Sequence, residues 1–124
     1  MNRKNMLQAI KDLREAKETQ IRNSIGDVFW DAVGNKVNRD YCREHNECGL
    51  CGLGVILVRA IERGDIPRDH PTFQGGDYFK VAAEHLGIPS TEVWRFIDAN
   101  DVDKLTFPGI ADRISRSFFR GEDV

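Results

Sequence analysis

The chain has 124 residues, 40% of them hydrophobic and 31% charged, and a formal net charge of −2. This size and apolar content predict one domain over residues 1–124 around one hydrophobic core, with frayed ends at 1–4 and 121–124. The near balance of charge excludes the strongly basic proteins whose field alone draws them to nucleic acid or an anionic membrane.

Residues 1–47 predict a helix, a hairpin and a loop. Apolar residues recur at spacings of three to five over Asn5–Ser24, which predicts an amphipathic helix that ends at Gly26. A Gly34-Asn35 turn lies among the β-favouring residues of 28–37 and predicts a short β-hairpin. The polar residues 38–47 then predict a loop.

The most apolar segment lies near the middle of the chain. Leu50–Ile61 places apolar side chains on every face of a helix, which is typical of a helix at the centre of a core, and Gly64 ends it. Residues 65–76 contain two prolines and two glycines without periodicity. They predict the longest connection, of a kind that is often mobile or functional.

Three further helices are predicted in the last third of the chain. Asp77 caps the first, over Tyr78–Leu86, and Ser90 caps the second, which ends at Asn100-Asp101. Thr106 caps the third. We therefore expect a mainly α fold, a single-domain bundle of about five helices around a central apolar helix, with one short β-hairpin.

Three observations predict a cytoplasmic protein without a membrane partner. No apolar run reaches the roughly 20 residues that span a bilayer. The N-terminal residues turn polar and charged by Lys11, so they lack the apolar stretch of a secretory signal. The three cysteines lie close together in the sequence, which favours free thiols or a metal over a disulfide framework.

Cysteines and a histidine before the central helix predict one candidate site. Cys42, His45, Cys48 and Cys51 follow at equal spacing and are ligands of the kind that hold zinc. Because residues at this spacing diverge on a helix, a shared metal requires a tight knuckle, which the glycines beside Cys48 and Cys51 would allow. The alternatives are ordinary reduced thiols with Cys51 buried, or Cys51 as a nucleophile near a helix N-terminus.

Residues 81–97 match the helix-turn-helix pattern and predict a second candidate site. Ala83 is small where the helices cross, Gly87 turns the chain, and Val93 is apolar six residues later. The charges between residues 77 and 100 sum to −2, however, and phosphate binding needs the opposite sign. The pattern therefore predicts the two-helix geometry more strongly than it predicts DNA binding.

The side chains that would contact DNA in this alternative lie on two predicted helices. Thr91 and Arg95 are expected to be exposed on the second helix of the pair, while Arg113, Arg116 and Arg120 form a basic stripe on the last helix. The stripe also has a structural interpretation, because cations stabilise the C-terminal end of a helix. We favour that interpretation.

Short motifs mark three predicted helix segments: Cys51-Gly-Leu-Gly at a helix start, Asn100-Asp101 at a helix end and Ile110-Ala-Asp-Arg-Ile in a closing helix. In these motifs the chain resembles a loose family of small uncharacterised bacterial and phage proteins, over residues 28–118. The resemblance implies that only Cys51 is typical among the cysteines, and that the Asn100-Asp101 side chains cap the following turn. It implies no established activity.

The sequence contains no phosphate-cradling glycine loop, paired-carboxylate site or hydrolytic triad, so we expect a protein without enzymatic activity. Small size, a long loop and exposed charge favour an accessory or regulatory protein that binds another macromolecule, in a phage-type role that modulates a host complex. The alternatives are a helix-turn-helix regulator that binds DNA and a zinc-stabilised or thiol-dependent protein.

Overall fold

The computed structural model describes residues 1–122 and 124, and it is mainly helical, as the sequence predicts. Its described residues contain no strand, and none of its helices is long and apolar enough to cross a bilayer. The predicted frayed tail at 121–124 includes Asp123, which lies outside the described residues. Eight helices lie in the described part of the chain: α1 (Arg3–Glu15), α2 (Asp27–Ala32), α3 (Arg39–Glu44), α4 (Gly52–Glu62), α5 (Pro71–Gln74), α6 (Tyr78–Leu86), α7 (Ser90–Asp101) and α8 (Phe107–Phe118).

Helix α4 occupies the middle of the core, and α1, α2, α6 and α7 all pack against it. Eight of its 11 residues are buried, and each large apolar side chain among them contributes about 1.5–3 kcal/mol through burial. The Cys51 thiol caps the helix by accepting the Gly54 N–H at 3.4 Å. After the helix, Gly64 takes the left-handed conformation, with φ +80°.

The first helix is shorter than its apolar pattern predicts. Helix α1 ends at Glu15, and the chain then runs without regular structure to Gly26. The backbone of this segment forms hydrogen bonds with another part of the chain. The Ile21 N–H donates to the Leu50 carbonyl at 3.0 Å, and the Leu50 N–H donates to the Thr19 carbonyl at 3.0 Å. Ile21 and Ile25 of this segment are still buried. The apolar spacing therefore reflects burial, and the helix predicted from it over these residues was wrong.

Three irregular segments meet in front of α4, and we call this meeting point the crossing. It consists of residues 19–21, 25–28 and 47–51. The Asp27 N–H donates to the Glu47 carbonyl at 2.9 Å, and the Cys51 N–H donates to the Ile25 carbonyl at 3.2 Å. The crossing therefore fixes the start of the central helix by backbone hydrogen bonds that span up to about 30 positions of sequence.

The predicted hairpin over 28–37 is not found, because Asp27–Ala32 is the helix α2. Its aromatic and β-branched residues suit a strand, but burial against α4 decides the outcome, and Phe29 is fully buried. At the first turn, the buried carboxylate of Asp27 accepts the Gly49 N–H at 2.8 Å and pairs with Arg39 at 2.6 Å. These contacts tie the helix start to the crossing.

Two more short helices lie where the sequence predicts connections. Helix α3 falls within the predicted loop 38–47 and begins where the Asn38 side chain accepts the Tyr41 N–H at 3.0 Å. Helix α5 falls within the predicted long connection 65–76. Neither is long enough to show a helical period in its sequence, which is why the pattern missed both.

Hydrogen bonds of Asn2 hold the N-terminal residues in place. Helix α1 begins at Arg3, and the Asn2 side chain caps it by accepting the Asn5 N–H at 3.0 Å. The Asn2 N–H donates to the Leu86 carbonyl at 2.8 Å, which joins the beginning of α1 to the end of α6.

An ion pair links the segment after α1 to the central helix and predicts a pH dependence. Nη2 of Arg59 lies 2.6 Å from both carboxylate oxygens of Glu18. Although burial acts to raise it, the hydrogen bonds from Arg59 hold the pKa of Glu18 below its ordinary value of 4.5. The ionised carboxylate therefore stabilises the fold above about pH 4.5, and this stabilisation is lost as the pH falls through the lowered pKa.

We expect Glu18→Gln to lower the free energy of unfolding by about 1 kcal/mol at pH 7. The difference from the unaltered chain should shrink as the pH is lowered from 7 to 3, because protonation of Glu18 removes the charge that pairs with Arg59. Urea unfolding at the two pH values measures this, with the exposed Glu15→Gln as the matched control. A difference that persists undiminished at pH 3 would contradict the ion pair as its cause.

Candidate functional site

A cleft of about 280 Å³ opens between α6, α7 and residues 23–25, and we call it the aromatic cleft. Helices α6 and α7 form its walls, and the start of α4 closes its floor. Its position follows from the crossing, which holds residues 23–25 opposite the two helices. The lining residues are Asn23, Ser24, Ile25, Cys51, Leu53, Tyr78, Phe79, Trp94, Ile97 and Asp101.

One wall of the aromatic cleft is a row of aromatic rings that runs from the surface into the core. Trp94 is 52% exposed and stacks on Phe79, with 5.2 Å between ring centroids. Phe79 in turn contacts Tyr78 at 4.7 Å, and Tyr78 meets the fully buried Phe29 edge-on at 5.6 Å. The exposed tryptophan is therefore supported by a chain of ring contacts that reaches the core.

A carboxylate is fixed at the polar side of the cleft. Oδ1 of Asp101 accepts the Asn23 N–H at 2.9 Å and a side-chain N–H of Asn100 at 2.7 Å. These two bonds hold the carboxylate at the end of α7, next to residues 23–25. Sequence reasoning did not identify Asp101 as a site residue.

Asn100 anchors this arrangement from inside the core, where it is fully buried. Its side-chain oxygen accepts the Gly52 N–H at 3.0 Å and a side-chain N–H of Gln20 at 2.8 Å, while its amide donates to the Ile21 carbonyl at 2.8 Å. The resemblance implied that the Asn100-Asp101 side chains cap the following turn. They instead bind residues 20–23 and the first turn of α4, which are distant in sequence.

The thiol of Cys51 lies at the floor of the cleft and is buried. Burial raises its pKa to about 11, and the Asp101 carboxylate acts in the same direction. Burial also raises the pKa of Tyr78, with Cys51 and Asp101 adding to the shift. Both groups are therefore neutral at pH 7, which opposes the thiolate that a nucleophilic role for Cys51 requires.

The other members of the predicted zinc site lie elsewhere. Cys42 is buried in α3, where burial raises the pKa of its thiol, and it lines a second cleft together with the half-buried Cys48. Nδ1 of His45 lies 2.9 Å from the Tyr41 carbonyl oxygen, and its ring stacks on the Tyr41 ring. Cys51 instead lines the aromatic cleft.

In the part of the chain that the structure describes, no group of three or more histidine, cysteine or acidic side chains is arranged to hold a metal ion. Zinc binding by Cys42, His45, Cys48 and Cys51 stays a prediction from the sequence. Elemental analysis of protein purified without chelator tests it.

The helix-turn-helix segment consists of α6, a left-handed Gly87 with φ +66°, and α7. Of the side chains predicted to contact DNA, Thr91 and Arg95 are exposed on α7, and Arg95 forms an ion pair with Glu92. On α8, Arg113 forms an ion pair with Asp103. Arg116 is exposed on the same helix, whereas Arg120 is exposed beyond the end of α8 at Phe118, so the predicted stripe does not lie on one helix.

Trp94 is a residue of the cleft that was not among the candidates from the sequence. Val93 and Phe96 are fully buried, and Asn100 completes the same inward face at spacings of three and four. Trp94 follows Val93 by one position, so helical geometry turns it about 100° away from that face. A strict helical period would have identified it as exposed.

Comparison with known proteins finds no matching family model, no matching curated protein and no matching solved structure. The function is therefore argued from the geometry of the aromatic cleft.

Proposed function

We propose that this chain is a small non-enzymatic accessory protein that binds another protein through the aromatic cleft. The observation that carries the proposal is the half-exposed Trp94, stacked on Phe79 at the mouth of the cleft. Tryptophan and tyrosine are the side chains most enriched among the residues that dominate protein–protein binding energy. An aromatic ring exposed in this way has an unfavourable contact with water that a partner would remove.

The rigidity of the site supports the same proposal. Trp94 lies on a helix rather than a loop, and its ring rests on a row of rings that ends in the core. A side chain held in place before binding loses little conformational freedom when a partner covers it. The three free cysteines favour a reducing compartment such as the cytoplasm for this interaction.

DNA binding through α6 and α7 is the alternative that the helix-turn-helix pattern favours. Two observations weigh against it: Arg95 and Arg113 are paired with carboxylates, and Asp98 and Asp101 add negative charge to α7. A gel shift with random duplex at low salt distinguishes the alternatives, since a DNA-binding protein shows non-specific affinity that falls steeply as salt rises.

The test of the proposal compares two exposed apolar residues on the same helical segment. A photo-crosslinking amino acid placed at position 94 should capture a defined protein in lysate of the producing cell, while the same group at Val102, which is 69% exposed, should not. With that protein purified, Trp94→Ala should weaken binding about 30-fold, the effect of a dominant interface residue. Val102→Ala should leave the affinity within twofold.

Both substitutions remove an exposed side chain, so neither should prevent folding, and circular dichroism checks this. Equal affinity of the Trp94→Ala and Val102→Ala variants would show that the partner binds elsewhere. If no protein is captured at position 94, the proposal is wrong.

A further inference from the structure

We infer that the aromatic cleft receives a lysine or arginine side chain of the partner. This inference rests on the proposed function and names the chemistry by which the cleft would recognise its partner. Three features of the cleft carry it: the aromatic wall, the fixed carboxylate and the size.

The aromatic wall can attract a positive charge. Trp94, Phe79 and Tyr78 line the cleft side by side, and tryptophan is the ring that attracts cations most strongly. An ammonium or guanidinium group within about 6 Å of such a ring is attracted by its quadrupole. The aliphatic stem of lysine or arginine also packs well on an aromatic surface while its charged end stays in polar surroundings.

The fixed carboxylate supplies the opposite charge. Among the described residues that line the cleft, Asp101 is the one charged group. Its Oδ1 is occupied by Asn23 and Asn100, whereas Oδ2 has no hydrogen-bond partner among the described residues. The same negative charge raises the pKa of both Cys51 and Tyr78, so an anionic side chain in the cleft would be repelled.

The size of the cleft limits what it can hold. Its volume of about 280 Å³ lies just under the roughly 300–1,000 Å³ of pockets that enclose a drug-sized ligand. A volume of this size suits one long side chain. An uncharged apolar side chain would also fill the space but would leave Oδ2 of Asp101 without a hydrogen-bond donor.

The experiment uses two small probes of the same shape and different charge on the full chain. N-acetyl-lysinamide and N-acetyl-norleucinamide are titrated separately while the indole N–H signals of the two tryptophans are followed by NMR. We expect the lysine probe to shift the Trp94 signal saturably and to bind about fivefold to tenfold more tightly than the norleucine probe. N-acetyl-argininamide should behave like the lysine probe.

Two variants assign this preference to the carboxylate. Asp101→Asn keeps an oxygen that accepts the Asn23 and Asn100 hydrogen bonds but removes the charge, so the fivefold to tenfold preference should disappear. Asp98→Asn removes an exposed charge from the same helix and should retain the preference. A preference that survives Asp101→Asn would overturn the assigned recognition.

The comparison of probes on the unaltered chain decides the inference even if a variant fails to fold. Equal or tighter binding of norleucinamide would overturn it and identify the cleft as a purely apolar anchor point. Absence of any shift at Trp94 would overturn it as well. Either result leaves the proposed function standing if crosslinking at position 94 still captures a partner, so the two failures can be told apart.

Discussion

Replacing Gly49 by alanine is expected to prevent cooperative folding or to lower the free energy of unfolding by more than about 4 kcal/mol. A Cβ at this position would lie closer than 3.0 Å to the Thr19 carbonyl, a separation that real Cβ atoms essentially never show. Gly49 also has φ +138°, a region that favours glycine. The Gly49 carbonyl accepts the Val28 N–H, and the Gly49 N–H donates to the Asp27 carboxylate. The crossing therefore cannot move aside without losing hydrogen bonds.

The matched control is Gly64→Ala. Gly64 has φ +80° but no heavy atom within 4 Å of an added Cβ, so only the backbone strain of about 1–2 kcal/mol applies. Urea unfolding of the two variants separates steric exclusion from left-handed strain. If the two variants unfold within 1 kcal/mol of each other, the close approach of residues 19 and 49 does not exist in solution.

Asn100→Ala is expected to lower the free energy of unfolding by about 3–5 kcal/mol. The substitution leaves the Gly52 N–H and the Ile21 carbonyl without their partner inside the core, and each such buried group costs about 1–3 kcal/mol. It also opens a small cavity at a fully buried site. Urea unfolding gives the value, and the exposed Asp98→Ala on the same helix should change stability by less than about 0.5 kcal/mol.

The same variant also reports on the aromatic cleft. Because Asn100 donates one of the two hydrogen bonds that hold Asp101, its loss should broaden or shift the Trp94 indole signal in the variant that still folds. A loss of stability below 1 kcal/mol would mean that water replaces the Asn100 side chain without cost, which would contradict its role as the anchor of α7 to α4.

Helical period and caps predicted those parts of the fold that are built from local interactions. Asp77 and Thr106 cap α6 and α8 as predicted, with side-chain oxygens that accept the Lys80 and Gly109 N–H groups at 3.2 Å. Ser90 does not cap α7; Pro89 precedes that helix without a side-chain hydrogen bond. Capping depends on residues within one turn, which is why a single sequence reveals most of it.

The structure of the irregular segments could not be predicted from local patterns of this kind. Residues 16–26 include Ile21 and Ile25, which are buried, but the backbone partners of the segment are Leu50 and Cys51, far along the chain. No local pattern records such a pairing. The candidate site shares this property, because Asp101 and Asn23 meet only after three distant parts of the chain have come together.

The crossing adds contacts between residues that are distant in sequence to a fold made of helices. Most helical domains fold fast because their contacts are local in sequence. Here, hydrogen bonds at the first turn of α4 join residues near 20, 50 and 100, so forming them closes two long loops at a cost in chain entropy. The aromatic cleft depends on the same distant contacts, because the Asn23 N–H and the Asn100 side chain hold Asp101 at its edge.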